Sequence, residues 1–276
     1  MPHDHAKNAA SAYEIGKWDA WFTEACQGQG QESEQGFFWH YCERDSFAIL
    51  NHCINSIQTR QISLAELACG AGRVSISLAD NPAIKTVMLF DGAESALEYA
   101  KSITPERHAS KINYQKGDLF DTGFPDNKFD LVWNCGVVEH YTEKDIKRLV
   151  SEMLRVTAPG GCLVIAVPNR NSMAAIKAYM LGKSPVAKYV RWIPGYRYDT
   201  EIPYSSRAMA GFIQAAAGKE PRIYYAGSPA WVTAPRVVCT ISGTVGKKLG
   251  WSFLTYFVLH KDALSVARKA AVEPVI

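Results

Sequence analysis

No apolar run in this chain is long enough to cross a bilayer. Charges interrupt each one, whereas a spanning helix needs about 20 apolar residues in succession. The opening stretch, MPHDHAKNAASAYE, lacks the apolar core of a secretory signal, so export is not expected. Neither sign of charge dominates: 30 Lys and Arg against 27 Asp and Glu leave a formal +3, too little to argue for a nucleic-acid partner. There is no internal repeat and no low-complexity segment. Paired cysteines are missing too. The seven, at 26, 42, 53, 69, 135, 162 and 239, are odd in number and contain no Cys-x-x-Cys. They read as free thiols in a reducing, cytoplasmic setting, with no zinc site. His3-Asp4-His5 reads as a solvated tail and not as a metal ligand set.

What is present is an ordinary globular composition, 47% hydrophobic and 21% charged over 276 residues. That suits one α/β domain with a decorated rim. Residues 1–60 are aromatic and helical in pattern, with a Gly/Gln loop from Gln27 to Gly36, and are expected to form an N-terminal helical lid. From Ile62 the rhythm becomes strand, turn, helix. Apolar or β-branched runs at Ile62–Leu67, Thr86–Phe90, Ile112–Lys116, Phe129–Trp133 and Cys162–Val167 alternate with helical stretches at 74–79, 93–102 and 143–156. Pro159-Gly160-Gly161 is expected to be a turn before the fifth strand. This alternation predicts a mainly parallel sheet covered on both faces. Helices are expected at 172–181 and 206–217. Strands at 221–226 and 253–261, joined by an irregular connection, are expected to close the sheet edge as an antiparallel pair. Residues 61–276 would then be the catalytic domain, with 170–205 an insert that covers the substrate.

The most informative stretch is Glu66-Leu67-Ala68-Cys69-Gly70-Ala71-Gly72. A strand runs into a glycine turn that opens a helix; Gly70 and Gly72 let backbone approach a ligand, and free N–H groups follow. Asp91 ends the next strand, where an acid can accept two hydrogen bonds from a ribose diol. Gly117-Asp118 follows the third strand, where a carboxylate could meet an exocyclic amine. Three turns on one sheet edge thus carry polar groups suited to a nucleoside. A dinucleotide is disfavoured, because the third fingerprint glycine is Ser75. Glu66 would also repel a pyrophosphate, yet suits a sulfonium with an ammonium group, as in S-adenosylmethionine.

With Phe129-Asp130-Leu131-Val132-Trp133-Asn134-Cys135-Gly136-Val137-Val138-Glu139-His140 and Leu154-Arg155-Val156-Thr157-Ala158-Pro159-Gly160-Gly161 added, the run from Ile62 to Asn169 resembles the class I S-adenosylmethionine-dependent methyltransferases, in their small-molecule, quinone-biosynthesis-like branch. The resemblance covers about 40% of the chain. It implies a Rossmann-like fold: a seven-stranded, mostly parallel sheet with helices on both faces and the last strand antiparallel. It implies Gly70 and Gly72 under the methionine and ribose, Glu66 at the amino-acid end, Asp91 on the ribose, and Gly92 beside the adenine. Asp118 would face the adenine amine, the Leu119 N–H a ring nitrogen, and the Asn134 carbonyl the methionine ammonium. Ala68 stands where the family more often has Gly, a departure that its small size makes harmless.

His140 follows the fourth strand and is the expected general base, since its ordinary pKa suits proton removal near neutrality. The alternative is that it only packs beside the next helix. Tyr13 and His40 are weaker candidates. Trp18, Trp21, Phe37 and Trp39, with Tyr179, Tyr189, Trp192, Tyr196, Tyr198 and Tyr204, would line a pocket or pack the lid. Lys177, Lys183, Lys188, Arg191, Arg197 and Arg207 make the insert basic, which fits an anionic acceptor, peripheral contact with a lipid surface, or a solvated face. The expected activity is methyl transfer to O or N of a small-molecule acceptor, with no nucleic-acid partner and no integral membrane segment. The alternatives are a nucleic-acid or protein methyltransferase and a non-catalytic partner subunit. Asn134-Cys135-Gly136-Val137 in place of an Asn/Asp-Pro-Pro-aromatic run argues against a nucleic-acid base as acceptor, and intact Glu66, Gly70, Gly72 and Asp91 argue against a non-catalytic subunit. The sequence leaves the oligomeric state open.

Overall fold

Alternating burial in the strands sets the architecture. In β1 (Ile62–Leu67) the side chains of Ile62 and Leu64 enter one core and those of Ala65 and Leu67 the other. β4 (Phe129–Cys135) repeats the pattern, with Leu131 and Trp133 opposite Val132. Strands apolar on both faces must be covered on both faces. The computed structural model describes residues 3–26, 37–185, 189, 198, 200–228 and 235–262.

The sheet also contains β2 (Ile84–Asp91), β3 (Ile112–Lys116), β5 (Thr157–Pro168), β6 (Arg222–Ala226) and β7 (Leu254–His260), in the order β3-β2-β1-β4-β5-β7-β6. β1 pairs in parallel with both β2 and β4, so the order reverses between them. That reversal opens a crevice at the carboxyl ends of the strands, where ligands gather in such sheets. β7 runs antiparallel to β5 and β6.

One face is covered by α5 (Glu143–Val156) and α7 (Ser206–Ala217). The α5 stripe Ile146, Leu149, Val150, Met153 and Val156 is fully buried, as its spacing predicts. The other face takes α2 (Phe37–Ser56), α3 (Arg73–Leu78) and α4 (Glu94–Ile103). The aromatic start of the chain forms α1 (His3–Cys26), which docks on α4. There Asp19 accepts hydrogen bonds from the Ser95 amide at 3.1 Å and hydroxyl at 2.8 Å. α6 (Met173–Gly182) is capped by Ser172, whose hydroxyl accepts from the Ala175 amide at 3.1 Å. No helix among the described residues is long and apolar enough to cross a membrane.

Two expectations need correction. The segment before β7 is not irregular throughout: Arg236–Leu249 forms α8, ended by Gly250 in the left-handed region. Its β-branched and glycine-rich sequence is a poor helix signal by propensity, and packing against α2 overrides it. Pro159-Gly160-Gly161 is not a free turn. β5 begins at Thr157, and the register jumps from the Phe129–Thr157 pair to the Leu131–Cys162 pair. The intervening residues form a bulge held to the end of β7, with the Gly160 amide donating to the Lys261 carbonyl at 2.8 Å. The Gln27–Gly36 loop and most of the basic aromatic stretch after α6, including Lys188, Arg191, Trp192, Tyr196 and Arg197, lie outside the described residues, as do the side chains of Phe37 and Trp39.

Candidate active site

The turn after β1 is built from its own amides. Gly72, at φ 62, places an added Cβ only 2.8 Å from Leu89 Cδ1, so both its conformation and its packing demand glycine. The Gly70 amide donates to Asp91 Oδ2 at 2.8 Å, and the Gly72 amide to the Cys69 carbonyl at 2.8 Å. These two N–H groups close the turn. Ala68 is also left-handed, at φ 56, so the side chain in place of glycine carries backbone strain that its small size does not remove.

Two cavities open above this turn. The first, of about 210 Å³, has Ala68, Gly70, Asp91, Gly92, Gly117 and Leu119 in its walls, with Ile15, Trp18 and Phe22 of α1 on the far side. The second, of about 320 Å³, holds Glu66, Gly72, Arg73, Glu139 and Glu201. Trp18, Cys69, Cys135, Gly136 and His140 line both. The two cavities thus adjoin across a common wall, the first at the β2 and β3 edge and the second toward Glu201.

Most of the candidate residues converge here, though not always as expected. Asp91 lines the first cavity with both oxygens already accepting amides, from Gly70 and from Ala93 at 2.9 Å. Burial raises its pKa against those amides. A carboxylate has about four acceptor sites, so capacity for a diol remains. Gly92 faces Ile15, whose Cδ1 would lie 2.9 Å from an added Cβ. The Asp118 side chain accepts from the Phe120 amide at 2.9 Å and lies outside the walls of both cavities, unlike its neighbours Gly117 and Leu119. The Asn134 side chain points to the α5 face, its Nδ2 3.6 Å from Met153 Sδ. Tyr13 and His40 are exposed and line neither cavity. Of the insert aromatics, Tyr179 and Tyr189 are exposed, Tyr198 is buried, and the Tyr204 hydroxyl donates to the Tyr141 carbonyl.

Glu66 is 6% exposed, and its Oε2 has no hydrogen-bond partner among the described residues. Burial pushes its carboxyl up to about 8, against a hydrogen bond from Ser75 and aided by Asp91. A buried acceptor without a donor is costly. An ammonium group would supply both donor and charge, so these residues fit the expected cofactor.

His140 is nearly buried. Its Nδ1 lies 2.7 Å from Thr200 Oγ1 and 3.6 Å from Glu14 Oε2, and its ring meets Trp18 edge-on at 6.4 Å. Glu14, Glu139, Thr200 and Glu201 carried no assigned role in the sequence reading. The signal for Glu139 was a lone acid after the apolar pair Val137-Val138; Glu14 and the 200–201 pair arrive from distant segments.

A family model described as a methyltransferase domain matches residues 65–165, the segment that builds these turns. Residues 65–165 therefore carry a methyltransferase domain. The domain is 34% identical over 104 residues to a probable chloroplastic tocopherol O-methyltransferase of Oryza sativa subsp. japonica, covering 37% of this chain and 28% of that protein. It is 29% identical over 138 residues to a ubiquinone biosynthesis O-methyltransferase of Coxiella burnetii, covering 47% and 55%. The matches therefore span between 28% and 55% of these relatives' length. Magnesium protoporphyrin IX methyltransferase of Synechocystis, a structure with bound S-adenosylhomocysteine, superposes with a TM-score of 0.58 at 14% identity, over 92% of this chain and 100% of that one. That likeness is one of fold. The cofactor of this class of domain is S-adenosylmethionine.

Proposed function

We propose that the chain is an S-adenosylmethionine-dependent methyltransferase that transfers a methyl group to an O or N atom of a small-molecule acceptor. The observation that carries this reading is the pair of cavities sharing the wall of Trp18, Cys69, Cys135, Gly136 and His140. One suits a nucleoside, and the other suits an amino-acid end together with an acceptor. In this reading Asp91, Gly92 and the Leu119 backbone hold the nucleoside. Asp118 contributes through its turn more than through its carboxylate. Ala68, Gly70 and Gly72 form the floor, Glu66 meets the ammonium, and Asn134 acts through its backbone. Residues 1–60 act as a lid on the catalytic domain at 61–276.

When bound, the cofactor supplies an electrophilic methyl group on a cationic sulfur. The chain aligns the acceptor and excludes water. Thr200 and Glu14 fix the His140 ring at Nδ1, and the other ring nitrogen takes the acceptor's proton. Seven cysteines that form no disulfide support a reducing, cytoplasmic setting. The half-exposed stripe Val237, Ile241, Val245 and Leu249 on α8, ending in Lys247 and Lys248, supports peripheral contact with a lipid surface.

Calorimetric titration of the full chain tests the reading. S-adenosylmethionine and S-adenosylhomocysteine are expected to bind, and NAD to remain silent. Asp91→Ala is expected to weaken binding by about 1–3 kcal/mol. Binding of NAD with no response to S-adenosylmethionine would refute the assignment. With an acceptor in hand, His140→Ala is expected to lower turnover by about 10²–10⁴-fold with cofactor affinity retained; a loss below tenfold would make His140 structural.

A further inference from the structure

The second cavity holds more carboxyl groups than this reading uses. Glu43, Glu66, Glu139 and Glu201 all line it. Among the described residues, Arg73, already 3.9 Å from Glu43, and His140 beside Glu14 stand against them. The cofactor's ammonium accounts for Glu66. Glu139 has no such assignment. It sits on the single turn Val138–His140, is 6% exposed, and its Oε2 has no hydrogen-bond partner among the described residues. Burial, reinforced by Glu201 and Glu14, pushes its carboxyl up to about 8.

The main chain keeps Glu139 and Glu201 together. The Ile202 amide donates to the Glu139 carbonyl at 2.7 Å, and Lys183 Nζ donates to the Glu201 carbonyl at 2.6 Å. Two buried acids are thus fixed on the wall of one cavity, and of the two the Glu139 Oε2 is the atom without a hydrogen-bond partner among the described residues. An orphaned buried acceptor marks a place where a partner is missing. A cation would offset the desolvation of Glu139 and the repulsion from its neighbours in one step. Trp18, Trp133 and Phe253 line the same cavity. Aromatic faces combined with carboxylates form the chemistry that recognises ammonium groups. A carboxylate or phenolate ligand would meet this lining as repulsion.

We infer that the second cavity receives its methyl acceptor as an ammonium-bearing small molecule, held by Glu139 and Glu201 among Trp18, Trp133 and Phe253. The inference rests on the methyltransferase reading of the site and narrows its acceptor class.

The test uses three ligands of one shape and different charge: tyramine, 4-propylphenol and 3-(4-hydroxyphenyl)propionate. Each is titrated calorimetrically into the full chain saturated with S-adenosylhomocysteine. Tyramine is expected to bind at least about tenfold more tightly than 4-propylphenol, and the propionate most weakly. In Glu139→Gln, and independently in Glu201→Gln, that preference is expected to shrink to about threefold or less. Titration of each variant with S-adenosylhomocysteine checks that the site is intact. Equal affinities, a preference for the anion, or no binding by any of the three overturns the inference, as does a tyramine preference kept in both variants. Failure of S-adenosylhomocysteine to bind the wild-type chain would instead overturn the methyltransferase reading, and the same three ligands on the unliganded chain would then decide the charge of the cavity.

Discussion

Ala68 illustrates how a single side chain can conflict with the turn that holds it. The backbone there is left-handed at φ 56, flanked by the positive-φ glycines 70 and 72. An L-residue in that region costs about 1–2 kcal/mol, while glycine costs about 0.5–1 kcal/mol in extra unfolded-state freedom. The first term is larger. Ala68→Gly is therefore expected to stabilise the chain by up to about 1 kcal/mol, read as a raised denaturation midpoint with unchanged slope. A lower midpoint would mean that the Ala68 methyl group, in the wall of the first cavity, contributes more packing than the strain costs. Glu66 and Glu139 carry the opposite kind of conflict. Each is an acid held in a core that disfavours its charge, the pattern that marks functional positions.

Among the elements, α8 is where local sequence signal and fold disagree most. Its sequence, RVVCTISGTVGKKL, has three β-branched valines, an isoleucine, two threonines and two glycines. Gly243 explains part of this. A Cβ there would lie 2.3 Å from Tyr41 Oη and 2.6 Å from its Cζ, so glycine is what lets α8 approach α2. Tyr41 is buried, with the Arg44 guanidinium 4.1 Å from its ring centroid, and has little room to yield. Gly243→Ala gains about 1 kcal/mol of helix propensity and incurs about 1–3 kcal/mol of overpacking. A net loss in thermal unfolding is expected, and a net gain would show that the Tyr41 ring can swing aside. β5 teaches a related lesson. Its apolar half was legible as a strand, but its bulged start was not, because Pro159-Gly160-Gly161 becomes ladder only through pairing with the chain beyond β7.

At the scale of the whole molecule, the contact between α1 and α4 determines how the first cavity is closed. Asp19 accepts bonds from Ser95 at the start of α4, which hold its carboxyl below the usual range. Ile15, Trp18 and Phe22, on the same helix, form one wall of the cavity. A ligand in that cavity would add contacts to α1 and lower its rate of opening. Hydrogen exchange across 13–26 is therefore expected to slow when S-adenosylhomocysteine is added, with little change in α7 on the opposite face. Equal exchange in both states would show that α1 is a fixed wall and not a lid.

The sequence by itself determined the parallel core, the three turns at the carboxyl edge and the class of cofactor. Those features are local: a strand run into Gly70 and Gly72, an acid at the end of β2, and an amphipathic stripe at 143–156 each speak through a few neighbouring residues. The tertiary structure alone decided what each side chain does at the site. The first sheet turn uses its own Gly70 and Gly72 amides, Asp118 bonds back onto its own turn, and the Asn134 side chain faces away. It also decided that Glu14, Glu139 and Glu201, drawn from three distant segments, line two cavities that share His140 in their walls. Burial and the sum of nearby charges are properties of the packed chain. No spacing in the sequence carries them.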